Sequence, residues 1–239
     1  MKNRTLICTI CIILIVTLCL AIPHLGISKQ KQIATASKCR KLTLIIDAGH
    51  GGFDGGAVAS DGTLEKDLNL YVANELKNLA VCFGYNTIMV RSSDKSTDED
   101  GEQDGSKKVK DIKNRLELMK KHPDGIFISI HMNKYQTAQP NGAQVFYSPI
   151  EGSKNLAECI QKSIFNFVQP NNKRVVKPAG NNIYLLYHAT VPAVIVECGF
   201  LSNKNDLENL KDDIYRKDLA FSVFCGIMNF VNEPLNLGE

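Results

Sequence analysis

The stretch "LTLIIDAGHGGFDGG", residues 42–56, runs from five largely apolar residues into a turn that carries one histidine, two aspartates and five glycines. A short unbroken apolar run of this kind marks a buried strand. With Gly49, Gly51, Gly52, Gly55 and Gly56 the backbone can bend sharply and take positive φ, so His50 leaves the strand and projects over the sheet edge. A phosphate-cradling turn is the rival reading. The glycines do not give G-x-G-x-x-G and no G-K-[ST] follows, so nucleotide binding is set aside.

Outward from this turn, hydrophobic runs alternate with helix-period segments, the pattern of an α/β protein. Leu64, Leu68, Val72, Leu76 and Leu79 predict a helix over 64–82, with Thr63 as its N-cap and Gly84 as its end. Residues 86–90 read as a strand, 92–108 as a polar surface loop, 109–121 as a helix stopped by Pro123, and 125–130 and 143–147 as strands. A helix over 153–168 follows, then a loop holding Asn171, Lys173, Arg174, Lys177 and Pro178, and strands near 183–187 and 193–197. The segment 203–231 reads as helix in two pieces, and no internal repeat is visible.

At 239 residues, 44% hydrophobic and 22% charged, the chain holds one sizeable globular domain. A net charge of +3 with no arginine-rich or aromatic-interleaved stripe argues against nucleic acid as a partner. The N-terminus, MKNR followed by an apolar run from Leu6 to Ile22 and Pro23, has the length and charge placement of an export segment. Ala34-Thr35-Ala36 lies far past that run for a cleavage site, which favours an uncleaved membrane anchor over a signal peptide. The expected organisation is 1–27 anchor or signal, 28–41 linker, 42–232 folded domain and 233–239 tail. Of the eight cysteines, Cys8, Cys11 and Cys19 fall in the apolar run. Cys39, Cys82, Cys159, Cys198 and Cys225 are an odd, widely spaced set that reads as small buried residues, with no disulfide framework and no cysteine zinc site.

Three strands end alike: "LTLIID-AGH" on His50, "GIFISI-H" on His131 and "AVIV-E" on Glu197. Chemistry in open α/β sheets collects at the carboxyl ends of the strands, where loops converge on one crevice. Glu65 stands in the first turn of the helix after the glycine turn. Two imidazoles and a carboxylate suit a zinc ion with one position left for water, and a further carboxylate can move that water's proton. His50, Glu65 and His131 are the expected metal ligands and Glu197 the proton-transfer group. Each residue singly also has a bland reading as a turn residue or a helix-dipole partner. The convergence carries the case.

"IIDAGHGGFDGG", "EKDLNLYVANELK", "FISIHMN" and "PAVIVECGFLSN" resemble, in order and spacing, the zinc-dependent N-acetylmuramoyl-L-alanine amidases of bacterial cell-wall turnover, over roughly 42–232. The resemblance implies a three-layer α/β/α sandwich on a mixed, mostly parallel sheet. It places the zinc ligands on His50, Glu65 and His131 and the catalytic glutamate on Glu197. The implied reaction is hydrolysis of the amide between N-acetylmuramic acid and the L-alanine of peptidoglycan stem peptides, outside the cytoplasmic membrane. A protein activator is left open. A single catalytic domain behind an N-terminal membrane segment is similar to the spore-cortex and germination branch of the family. Asp47 is a candidate for orienting His50, and Asn133 for lining the cleft. Many relatives carry an arginine near the turn before the last strand, where this chain has Tyr187-His188, so His188 is weighed both as an extra ligand and as an exposed side chain. Two other functions remain open: a catalytically silent wall-binding protein on the same fold, and a zinc peptidase acting on stem-peptide bonds.

Overall fold

Strand β1 (Thr43–Ala48) is buried along its whole length in a computed structural model that describes residues 42–97 and 106–232. The anchor, the linker, the C-terminal tail and residues 98–105 of the expected surface loop lie outside the described residues. After β1 come α1 (Glu65–Cys82), β2 (Asn86–Met89), α2 (Ser106–Lys121), β3 (Gly125–Asn133), β4 (Gln144–Tyr147), α3 (Ser153–Phe167), β5 (Lys177–Pro178), α4 (Tyr184–Tyr187), β6 (Ala193–Phe200), α5 (Lys204–Lys211) and α6 (Asp213–Asn232).

The strands form one six-stranded sheet in the order β2-β1-β3-β6-β4-β5. β2, β1, β3 and β6 are parallel, β4 runs antiparallel to β6, and β5 lies parallel to β4. Side chains alternate across the sheet. Leu44, Ile46, Ile128, Ile130, Val194 and Val196 pack on one face against α1, α3, α5 and α6. Ile45, Phe127, Ala193 and Ile195 pack on the other against α2 and α4. Coverage of both faces explains why these strands read as continuous apolar runs rather than as alternation, and the result is the expected three-layer sandwich. Each fully buried Leu, Ile or Val of this core contributes about 1.5–3 kcal/mol relative to exposure.

Five local expectations change, the first being that Lys177 and Pro178, read as loop, pair with β4 as β5. Residues 184–187 are a helical turn rather than a strand, because Tyr187 N–H donates to the Ile183 carbonyl and His188 N–H to that of Tyr184. The turn buries the adjacent pair Leu185 and Leu186, which a strand would split between two faces. Helix α2 begins at Ser106, inside the stretch read as loop. Helix α1 has Leu64, not Thr63, at its N-cap. Its first amides are satisfied by the glycine turn, Glu65 N–H donating to the Ala57 carbonyl and Lys66 N–H to that of Gly55. Among the described cysteines, all free, Cys159 and Cys198 are buried, whereas Cys225 is half-buried and Cys82, the last residue of α1, is exposed. Among the described residues no helix is long and apolar enough to cross a membrane.

Candidate metal centre

The chemistry-bearing residues meet at the carboxyl edge of the parallel strands. His131 and Glu197 lie within β3 and β6 near their ends and are direct cross-strand partners. By alternation both sit on the α2 and α4 side of the sheet. His50 follows β1 at φ +62° and is the one non-glycine residue with positive φ among those described. Glu65 reaches the same place from the first position of α1 and is 3% exposed.

Two imidazoles converge on that one carboxylate. His50 Nε2 lies 3.2 Å from Glu65 Oε2 and His131 Nδ1 2.9 Å from Glu65 Oε1. Donor atoms of the three residues all lie within 4.8 Å of one another, an arrangement able to hold a metal ion. Glu65 is held from behind: Ala57 N–H donates to Oε2 at 2.8 Å, and Met132 N–H and the Asn69 amide donate to Oε1 at 3.2 and 3.3 Å. The glycines make room. A Cβ at Gly49 would stand in the His131 ring, and one at Gly56 would come within 2.6 Å of Glu65 Oε2 and 2.7 Å of His50 Cδ2.

Charge is distributed as a cation site requires. Burial opposes ionisation of Glu65, but hydrogen bonds from His131 and His50 outweigh it and hold the carboxyl well below the usual range. Burial pulls His50 down, yet its bonds to Asp54 and Glu65 prevail and raise it to about 9. Glu197 goes the other way: burial and the Glu65 charge raise it, His131 and His50 restrain it, and it comes to about 7. Its Oε2 is shut off from solvent with no hydrogen-bond partner among the described residues. A buried carboxylate oxygen without a partner is costly unless a ligand or a proton completes it.

Asp47 does not orient His50. It is fully buried, pairs with Arg115 and accepts from Ser129 Oγ at 2.7 Å. The partner of His50 is Asp54, whose Oδ2 lies 2.9 Å from Nδ1. The spacing His50-x-x-x-Asp54 was visible, but in a glycine turn of unknown path it had no geometric meaning. A carboxylate on the outer nitrogen fixes the ring's orientation and raises its basicity toward a metal. Asp54→Asn is therefore expected to weaken metal binding by about 10–100-fold, measured by chelator competition. His188 is exposed beside the rings of Tyr184 and Tyr187 and is not in the ligand cluster.

Cys198 lies on the opposite face from Glu197, fully buried in the same cluster as Val196, and burial pushes its thiol far up. A thiol in that state is neither nucleophile nor ligand. Phe200, two residues on, lies against the Arg174 guanidinium, 4.8 Å from ring centre to Cζ. Cys198→Ala is expected to keep most activity, and thiol-blocking reagents to have little effect, in turnover assays with wall substrate.

This is the architecture of a metal-dependent hydrolase of the α/β class. Residues 44–229 match the family model for N-acetylmuramoyl-L-alanine amidase, and the chain belongs to that family. It is 32% identical, over 80% of each chain, to the germination-specific N-acetylmuramoyl-L-alanine amidase of Bacillus subtilis. Among solved structures it is similar to the CwlD amidase of Clostridioides difficile in complex with the GerS lipoprotein, with 36% identity and a TM-score of 0.77 over 80% of this chain and 99% of that one. A second, the N-acetylmuramoyl-L-alanine amidase of Clostridium difficile 630, is 26% identical with a TM-score of 0.70, over 81% of this chain and 98% of that one.

Proposed function

We propose that the protein is a zinc-dependent amidase that cuts the bond between the lactyl group of N-acetylmuramic acid and the first L-alanine of peptidoglycan stem peptides, with His50, Glu65 and His131 as metal ligands and Glu197 as the catalytic acid/base. The observation that carries this reading is the convergence of two imidazoles on one carboxylate, with a second carboxylate on the neighbouring strand whose Oε2 has no hydrogen-bond partner among the described residues. Two nitrogen donors and one oxygen donor suit zinc with a position left open. Zinc bound there supplies a polarised carbonyl and a water of lowered pKa.

The chain's own groups do the rest. Asp54 and the amides behind Glu65 keep the ligands aimed at one point. Glu197 takes the proton of the attacking water at a carboxylate oxygen and delivers it to the departing alanine nitrogen. Burial, which raises the Glu197 carboxyl above its ordinary range, favours a group that can both take and return a proton.

The substrate lies outside the cytoplasmic membrane, and the apolar run over 6–22 would take the domain there as anchor or signal. Similarity to a germination-specific relative supports action on the spore cortex, and the lipoprotein complex of a solved relative supports a protein partner for this chain. Mass analysis of muropeptides released from purified wall tests the activity. The expected products carry a freed lactyl carboxyl and a freed alanine amine. Cleavage at another stem-peptide bond would make the protein a zinc peptidase. A zinc-loaded protein that releases nothing alongside its native partners would be a wall-binding protein.

A further inference from the structure

His50 holds a left-handed backbone conformation that side chains other than glycine disfavour, and such a conformation persists only where its surroundings over-determine it. Two buried arginines bond to the carbonyls on either side of the His50 Cα, that of Gly49 being shared with the Asn69 amide at 3.1 Å. Arg91, 5% exposed, donates from Nε to the Ala48 carbonyl at 2.7 Å and from one terminal nitrogen to the Gly49 and Lys66 carbonyls at 3.0 and 2.8 Å. Its other terminal nitrogen donates to the Ser93 carbonyl at 3.1 Å, so its four hydrogen bonds all end on main-chain oxygens. Arg115, 4% exposed, donates to the His50 carbonyl at 3.2 Å while pairing with Asp47 and with Asp111, the latter at 2.8 Å.

The Gly49 carbonyl belongs to the peptide plane before the His50 Cα, and the His50 carbonyl to the plane after it. The angle between those planes is set by φ and ψ of His50, and it decides where the imidazole points. One guanidinium grips each plane. The space is also filled to match, since a Cβ at Gly51 would come within 2.8 Å of Arg91 Cδ and Nε.

We propose that Arg91 and Arg115 are positioning residues that hold His50 in its left-handed conformation and thereby set the zinc affinity of the site rather than the stability of the sheet. This rests on the reading of His50 as a metal ligand. Lysine at either position keeps the charge but offers one compact ammonium in place of a fork, too few directed donors to grip carbonyls and carboxylates together.

The test uses the full chain as Arg91→Lys and Arg115→Lys variants, with His50→Ala as control. Three quantities are read: the zinc dissociation constant by chelator competition, the visible absorption of the cobalt-substituted protein, and melting of the zinc-free protein. The expected result is zinc affinity about 10–100-fold weaker in each variant, the range for groups that orient a ligand. An altered cobalt spectrum and little change in zinc-free melting are expected with it. Parent-like zinc affinity and cobalt spectrum in both variants would overturn the proposal. Collapse of the zinc-free fold in both would overturn it as well, because the arginines would then be supporting the sheet edge. If Arg115→Lys alone fails to fold, Arg91→Lys, which leaves the Asp47 pair intact, decides. A parent protein that binds no zinc, or a His50→Ala variant that binds it normally, would instead remove the ligand assignment beneath.

Discussion

Replacing either His50 or His131 by alanine is expected to strip zinc from the protein and to lower turnover by about 10³-fold or more. On the proposed ligand set two protein ligands remain in each variant, against the three usual for a catalytic zinc. The several kcal/mol that a Lewis acid supplies to the transition state correspond to that many decades at about 1.4 kcal/mol each. Proton competition adds a second signature. With His50 raised to about 9, a proton must leave its ring before a metal can bind at neutral pH. Zinc affinity of the parent is thus expected to fall as pH drops below about 9, with proton release on binding measurable by calorimetry in buffers of different ionisation enthalpy. Full zinc occupancy in both alanine variants would remove these residues from the metal shell.

The sheet was legible because its strands are sealed on both faces. A run such as Ile126 to Ile130 cannot be anything but interior, and His131 marks where it meets the crevice. Glu197 was legible for the same reason, a charge at the end of a run with no polar company. Residues 184–187 were not, since four consecutive large residues satisfy a short strand and a helical turn equally, and only the packing of Leu185 and Leu186 under the sheet decides between them.

The supporting shell was hidden for a different reason. Asp54, Arg91 and Arg115 act on the site through a turn whose path depends on five glycines, and chain separations of 42 between Arg91 and Gly49 and 65 between Arg115 and His50 carry no local signal. Asp47, three residues before His50, was the natural candidate for orienting it. Strand alternation turned it under the sheet instead, toward Ser129 and Arg115.

Glu197→Gln separates the ligand shell from the proton-transfer step. Glutamine nearly matches the glutamate in shape, and the Glu197 side chain makes no hydrogen bond to His50, Glu65 or His131 among the described residues, so zinc content and melting are expected to stay close to the parent. Turnover is expected to fall by at least about 10²-fold, the lower end of what a positioned acid/base supplies. The sign of the pH effect follows from the direction of transfer. Glu197 must be ionised to accept the water's proton, so activity is present above its pKa and lost as pH falls through it. Protein groups alone place that pKa at about 7, and a dication beside it favours the carboxylate and draws it lower. With zinc kept saturating, the acid limb of the parent's kcat profile is therefore expected at or below pH 7 and is expected to vanish in Glu197→Gln. A glutamine variant with near-normal turnover, set beside an inactive Cys198→Ala, would replace metal-assisted hydrolysis by thiol chemistry. The burial of Cys198 opposite the crevice speaks against that outcome, because a neutral thiol sealed among Val196 and its neighbours has neither a base within reach nor a path to substrate.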